Sequence, residues 1–394
     1  MLLKLAQRNI FRNRRRTFLT VSMMVCGYVL VSLFIAWADG AYGEIISQFI
    51  NARTGEAQIH FKDYLEEPKM YKAIADYEGL LSHLESNPSV LSMSPRVKGG
   101  ALIFLNTKNF HANVVGIDFD KEIAATNFLR RIPIDSGSIG KNSYVIVLGE
   151  KVANALKAVV GDEVMLLSSG ADGSIANDLF KVIDIARGDR AKIDEMNVYI
   201  PINVAQEFFS LPGKVHEIML RTKGKLADLN LPTDLTLSGW KEIEKDFYKA
   251  MEADRKGDNV ARFIIMVLVA LGVFNTVLMS VMERMREFGV LKAIGTNPSF
   301  LFKMIVLENI IVGALSIVIG TILALAVNYY FSKHGITFGE TFEYGGFEFN
   351  EMKAVMELRS YILPSIVILV TSIFVSLYPA YRAAKIPAIE AIHS

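Results

Sequence analysis

Residues 300–331 read FLFKMIVLENIIVGALSIVIGTILALAVNYYF. A bilayer core is about 30 Å thick and gives backbone amides no partner, so roughly 20 apolar residues in a helix are what crosses it. This run exceeds that length and requires tilt or a portion outside the hydrocarbon. Outward from it, three further stretches meet the same standard: Thr17 to Ala38, Val260 to Met282 and Tyr361 to Tyr381. Hydrophobic residues make up 52% of the chain and charged residues still 21%, so the hydrophobicity is concentrated in segments. The expected fold is an α-helical membrane protein with four transmembrane helices.

Basic residues near the span ends set the orientation. Lys4, Arg8, Arg12, Arg14, Arg15 and Arg16 precede the first span without an acidic residue among them, which places residues 1–16 in the cytoplasm. Leu2, Leu3, Leu5, Ala6, Ile10 and Phe11 interleave with these charges, as in an amphipathic helix on the inner leaflet or a plain topogenic flank. Crossings at 17–38, 260–282, 300–331 and 361–381 then leave 39–259 outside, 283–299 inside, 332–360 as a short acidic outer loop and 382–394 as a cytoplasmic tail. Ala36-Trp37-Ala38 has the form of a signal-peptide cleavage site. The apolar run before it is longer than a signal core, however, and helical periodicity continues through Ala41, Ile45, Ile46, Phe49 and Ile50.

Between residues 55 and 235 the pattern changes to short β-type runs punctuated by Gly, Pro, Asn and Asp, which predicts a mixed α/β extracytoplasmic domain. Strands are expected at Gly55 to Phe61, Ala101 to Leu105, Asn113 to Ile117, Tyr144 to Leu148, Glu163 to Ser168, Leu179 to Ala186, Asn197 to Pro201 and Glu217 to Thr222. Helices are expected at Tyr77 to Glu85, Glu150 to Lys157 and Asn203 to Phe209. Lys241 to Arg255 reads as a charged helix entering the second span, so the domain should sit on helical stalks.

Lys and Arg (42) nearly balance Asp and Glu (41), which argues against a nucleic-acid partner. Cys26 is the single cysteine and cannot build a disulfide or a cysteine metal site within one chain. The six histidines are scattered without zinc-ligand spacing, and packing or surface roles are expected for them. A nucleophile elbow, a Walker A loop and a zinc signature are all missing. Ser168 to Gly173 is Gly-rich but has no Lys to reach a phosphate, and a turn between strands is expected there.

The segment joining the second and third spans is Glu283-Arg284-Met285-Arg286-Glu287-Phe288-Gly289-Val290-Leu291-Lys292-Ala293-Ile294-Gly295. Charges alternating with small residues suit a short, rigid helix that a soluble partner could grip, and Gly289 and Gly295 permit close approach or a helix stop. It resembles the E-R-x-R-E-[IF]-G-x-L-[RK]-A-[IL]-G coupling helix of the FtsX-like permeases, the MacB-like type VII ABC transporter group. Weaker echoes lie in Leu5 to Asn13 and Tyr378 to Ala391. Gly149 to Ala153, Val160 to Val164 and Phe180 to Asp184 look most like the LolC and LolE branch.

The resemblance implies a MacB-like periplasmic core, an inner-membrane location with both termini cytoplasmic, and an ATPase dimer under the coupling helix that binds ATP and Mg. This chain would hold no cofactor and catalyse nothing itself. A second permease copy or homologue would complete the assembly. The coupling residues would be Glu283, Arg284, Arg286, Glu287, Gly289, Lys292, Gly295 and Glu308, the last an ionisable group in the third span that needs an Arg or Lys partner near the inner leaflet, such as Lys303. Asn275 and Asn328 suit interhelical hydrogen bonds, and Gly313 and Gly320 close helix packing.

The function implied is release or trafficking of lipoproteins, or other lipid-linked cargo, from the inner membrane. A lipid-chain cavity would be lined by Phe34, Trp37, Ile45, Ile46, Phe49, Phe263, Met266, Val267 and Phe274. A periplasmic carrier would meet a proline-bearing hook in LolC, and the matching Ser168 to Asn177 loop here has no proline. MacB-like efflux of a drug or peptide and FtsX-like signalling to a cell-wall hydrolase are the alternatives.

Overall fold

The computed structural model describes residues 6, 8, 9, 12, 14–126, 140, 142–186, 195–223, 229, 231–344 and 347–387. Four helices are long and apolar enough to cross a bilayer, Thr17–Phe49, Lys245–Met282, Pro298–His334 and Arg359–Lys385. Each contains one expected span, and the first two run well past it. The second has 38 residues, about 57 Å at 1.5 Å per residue, which is nearly twice the hydrocarbon thickness. Its surplus is the charged stretch before Val260, continuous with the apolar part as the sequence predicts. The first helix starts at Arg14 and ends in a π-helical turn over Ile50–Thr54. Most of the expected amphipathic helix over 1–16 lies outside the described residues.

Two compact units make up the chain. One comprises Met1–Glu44, Glu252–Phe338 and Glu351–Ser394, and the other Ile45–Met251 with Gly339–Asn350. In the helical unit, small residues let backbones approach closely. A Cβ at Gly27 would stand 2.5 Å from Val269 Cγ1, one at Gly313 2.7 Å from Ser372 Oγ, and one at Gly320 2.9 Å from the Tyr28 ring. The Tyr28 hydroxyl donates to the Tyr361 carbonyl at 2.9 Å and lies 2.9 Å from Thr321 Oγ1. Asn328, fully buried, donates to Ser32 Oγ at 3.0 Å, as expected of it, whereas Asn275 is exposed.

The second unit is built on β1 (Ala57–Phe61), β2 (Ile74–Ala75), β3 (Val90–Leu105), β4 (Lys108–Ile117), β5 (Val145–Gly149), β6 (Glu163–Ser169), β7 (Ile175–Ala186), β8 (Asn197–Pro201), β9 (Lys214–Val215), β10 (Glu217–Thr222) and β11 (Leu235–Gly239). Nine strands form one sheet in the order β11-β1-β10-β3-β4-β8-β5-β7-β6, and β3 also pairs with β6. The strands from β3 to β6 therefore close into a ring, with β10, β1 and β11 as an open extension. Ile103, Val114, Ile146, Leu148, Val164, Phe180 and Val198 belong to its buried core. Helices Tyr77–Glu85, Glu150–Leu156 and Ile202–Phe208 appear within a residue of expectation.

The strand β3 begins at Val90, eleven residues before the expected start at Ala101, because Pro95, Gly99 and Gly100 disguise it. Glycine in a strand marks a bend or a close backbone approach. A Cβ at Gly99 would meet Phe209 at 2.5 Å, so this position needs glycine. Residues 332–360 also differ from the expected loop. They hold a hairpin of β12 (Ile336–Tyr344) and β13 (Phe347–Met352), whose alternation of Ile336, Phe338, Phe342 and Tyr344 with polar residues the net acidity masks.

Charge is buried where β3 meets the unforeseen helix Phe119–Ala125. Arg96 contacts Glu122 at 2.6 Å and Glu217 at 3.4 Å, while Lys98 reaches Glu217 at 2.7 Å. Burial works to raise both carboxyls. For Glu122 the charge and hydrogen bonds of Arg96 overcome it, and for Glu217 the charges of Lys98 and then Arg96, so both titrate below the ordinary value of 4.5. His216 packs beside them, its Nδ1 accepting from the Lys98 amide at 2.9 Å and its Nε2 3.0 Å from the Met70 carbonyl. Burial lowers its pKa and favours the neutral ring.

Carboxyls lowered in the folded state contribute stability that is complete above their unfolded value and lost as pH falls through the folded one. These two carboxyls should thus cost urea resistance only below about pH 4.3, and the neutral His216 adds a loss that begins as pH falls below about 6.5. Arg96→Met strands the buried Glu122 carboxylate, while Glu217 keeps Lys98, and should cost about 3–5 kcal/mol, with acid sensitivity moved toward neutrality. An unchanged acid profile in the variant would contradict this network.

Candidate functional site

The short helix Met285–Ala293 follows the second spanning helix and precedes the third, which starts at Pro298. Its end is made by Gly295 at φ +93° and by the Thr296 amide donating to the Leu291 carbonyl at 3.0 Å. The positive φ suits glycine, so the expected stop at Gly295 has a backbone cause. Asn297 caps the third helix through the Ser299 amide at 3.0 Å, with Pro298 in its first turn, where a missing amide hydrogen costs nothing.

One face of the short helix is locked into the bundle. Arg284 Nη1 donates to both Glu308 oxygens at 2.9 and 2.8 Å, and its Nε to Glu287 at 3.2 Å. Its guanidinium also lies 5.0 Å from the Phe288 ring centre. Glu308 has the cationic partner expected of it, but that partner is Arg284 and not Lys303. Five residues along a helix turn through about 500°, which leaves Lys303 well around the helix from Glu308. Glu287 additionally pairs with Arg12. Lys292 Nζ donates to the carbonyls of Ala384 at 2.8 Å and Ile386 at 2.5 Å. Met285 and Phe288 pack with Val281, Leu301, Met304, Ile305, Ala380 and Ala383, and Gly289 is buried.

The opposite face is open. Glu283 and Arg286 are exposed, as are Val290 (49%) and Ile294 (76%). Of the residues the motif suggested a partner would grip, Arg284, Glu287, Gly289 and Lys292 instead hold the helix in place. Val290 and Ile294 were not foreseen, although their spacing of four from Arg286 was the available signal.

The residues proposed to line a lipid cavity differ in exposure and in partners. Ile45 and Phe49 are buried, and Phe49 stacks on Phe247 with ring centres 4.3 Å apart. Phe274 lies 6.2 Å from Tyr378, and Phe34 lies 6.3 Å from Trp37. Phe263 and Val267 are exposed, while Ile46, Trp37 and Met266 are half-buried.

Comparison with known proteins matches residues 17–228 to the MacB-like periplasmic core domain and residues 259–388 to the FtsX-like permease C-terminal domain. The chain belongs to the FtsX-like permeases with a MacB-like core. It is 22% identical over 368 residues to the lipoprotein-releasing system transmembrane protein LolE of Haemophilus influenzae, covering 89% of this chain and 87% of that protein. It is also 22% identical over 352 residues to the macrolide export ATP-binding/permease protein MacB of Escherichia coli K12. That match covers 82% of this chain and spans about half of MacB, 53%. The crystal structure of the periplasmic region of MacB from Actinobacillus actinomycetemcomitans aligns with 52% of this chain and 98% of its own, at 12% identity and a TM-score of 0.37.

In this FtsX-like permease the Arg284–Glu308 contact fixes the short helix to the third span. Glu308→Ala leaves a buried guanidinium with only the half-exposed Glu287 and should cost about 3 kcal/mol. The double variant Arg284→Met with Glu308→Leu should recover most of that loss, since neither charge is then stranded. Thermal unfolding of the detergent-solubilised chain checks both, and equal losses in the single and double variants would refute the pairing.

Proposed function

We propose that this permease is the non-catalytic membrane subunit of an ABC transporter, with an ATPase dimer seated against the exposed face of Met285–Ala293. The observation that carries the proposal is the division of that helix between a face tied to the spans and a free face of Glu283, Arg286, Val290 and Ile294. A partner gripping the free face moves the spans with it, because buried ion pairs and packed side chains resist slippage. ATP and Mg belong to the ATPase, and two permease copies, or this chain and a homologue, flank its dimer. Basic flanks put both termini in the cytoplasm and the α/β domain on the far side of the bacterial inner membrane.

The proposed work is release of lipoproteins or other lipid-linked cargo from that membrane, supported by the nearly full-length similarity to LolE. Drug or peptide export is the second reading, favoured by an equal 22% identity to MacB. A periplasmic carrier is left out of the proposal. The Ser168 to Asn177 segment is the tight β6–β7 turn, with the Gly170 amide donating to the Ser174 carbonyl at 2.8 Å.

Val290→Asp with Ile294→Asp should leave membrane insertion and thermal stability unchanged and lower permease-dependent ATP hydrolysis at least tenfold. Reconstituted ATPase assays on the assembled complex read this out, and wild-type stimulation in the double variant would sink the docking assignment. Mapping which lipoproteins accumulate in the inner membrane after depletion separates the two cargo readings.

A further inference from the structure

Asp39 lies one residue beyond the apolar run of the first helix, and its side chain is 8% exposed. Around it stand Arg262 Nη2 at 3.7 Å, Arg255 Nη2 at 3.8 Å and Arg359 Nη1 at 4.0 Å. These distances exceed a hydrogen bond, and neither Asp39 oxygen has a hydrogen-bond partner; Arg262 Nε is likewise buried without one. Three guanidiniums against one carboxylate leave an excess of two positive charges in the cluster. Arg262 is 10% exposed and lies with its guanidinium 5.8 Å from the Phe34 ring centre, whereas Arg255 and Arg359 are half exposed.

The four residues come from three helices, each within a few residues of where an apolar run ends, at Ala38, Val260 and Tyr361. That is the depth of lipid headgroups. The backbone there is held as well. The Val355 amide donates to the Ala36 carbonyl at 2.9 Å, and a Cβ at Gly40 would stand 2.0 Å from the Lys353 carbonyl oxygen. From Arg262 into the membrane, the second helix exposes Phe263, Val267 and Leu271, an apolar strip fit for an acyl chain. Cationic side chains gathered at headgroup depth attract lipid phosphates.

We propose that the Asp39, Arg255, Arg262 and Arg359 cluster is a binding site for the phosphate headgroup of an anionic phospholipid, with one acyl chain along the Phe263 strip. Asp39 keeps the three like charges gathered, and the surplus is met by the lipid. The site requires only that these helices span a bilayer, so it stands or falls separately from ATPase docking.

Trp37 is two residues from Asp39, and Trp240 is the other tryptophan of the chain. In a Trp240→Phe background, Trp37 emission reports lipid enrichment directly. The full-length protein is placed in nanodiscs of phosphatidylcholine carrying a minor fraction of brominated phosphatidylglycerol or, in parallel, brominated phosphatidylcholine. Brominated phosphatidylglycerol should quench several-fold more strongly, and Arg255→Gln with Arg359→Gln should bring the two lipids level, each arginine being worth roughly fivefold. The charge-conserving Arg255→Lys with Arg359→Lys should keep it. Equal quenching by the two lipids in the wild-type protein, a preference indifferent to the Gln variant, or a preference lost in the Lys variant overturns the proposal. Excess inorganic phosphate should leave the quenching in place, and displacement by it would assign the cluster to a free anion instead.

Discussion

A charged pair at the foot of a membrane helix is tolerated only when each partner satisfies the other, and Arg284 with Glu308 meets that condition in both oxygens. Both residues are only 7% exposed, where an isolated guanidinium or carboxylate would be costly. Arg284 is the residue immediately before the first turn of the short helix, so satisfying its guanidinium fixes the rotation of everything that follows. Met285, Phe288 and Gly289 are thereby buried, and Arg286, Val290 and Ile294 are left open. One electrostatic constraint thus decides which side of the helix a partner can meet.

The two units handle buried polarity in different ways. In the α/β domain, Arg96 and the partly exposed Lys98 face the buried Glu122 and Glu217, so the charges match in number. Between the ends of the helical bundle the buried polar groups are neutral hydroxyls and amides, among them Tyr28, Ser32, Asn309, Ser316 and Asn328. Ionised side chains gather at the ends of the apolar runs. At one end Arg12 and Arg284 are matched by Glu287 and Glu308. At the other, arginines outnumber the single aspartate, an imbalance with a natural counterion only where lipid phosphates are at hand.

The spans were legible because each apolar run is long and nearly free of charge, and β1, β8 and β10 because their branched and aromatic residues lie between turn signals. What escaped was structure carried by tertiary contact. The first half of β3 has Pro95, Gly99 and Gly100, unpromising until Phe209 is seen against Gly99. Helix Phe119–Ala125 is too short to show a period, and its Glu122 reads as a solvated acid until Arg96 is opposite it. At the candidate site the motif located the helix but not its faces. The partner of Glu308 lies 24 residues away in sequence, beyond any local pattern.

The short helix is joined to more than its two chain neighbours. Glu308 ties it to the third spanning helix, and Arg12 pairs with Glu287. Lys292 donates to carbonyls at the end of the fourth helix, where unpaired carbonyls and the helix dipole favour a cation. Hydrogen bonds tolerate only a few tenths of an ångström before weakening. A displacement of the short helix larger than that must either break a buried ion pair or carry the attached helix ends with it. Breaking the pair strands charge in low dielectric, whereas moving helix ends repacks apolar and neutral contacts, such as those of Gly27 with Val269 and Gly313 with Ser372. The cheaper response is therefore collective motion of the helix ends.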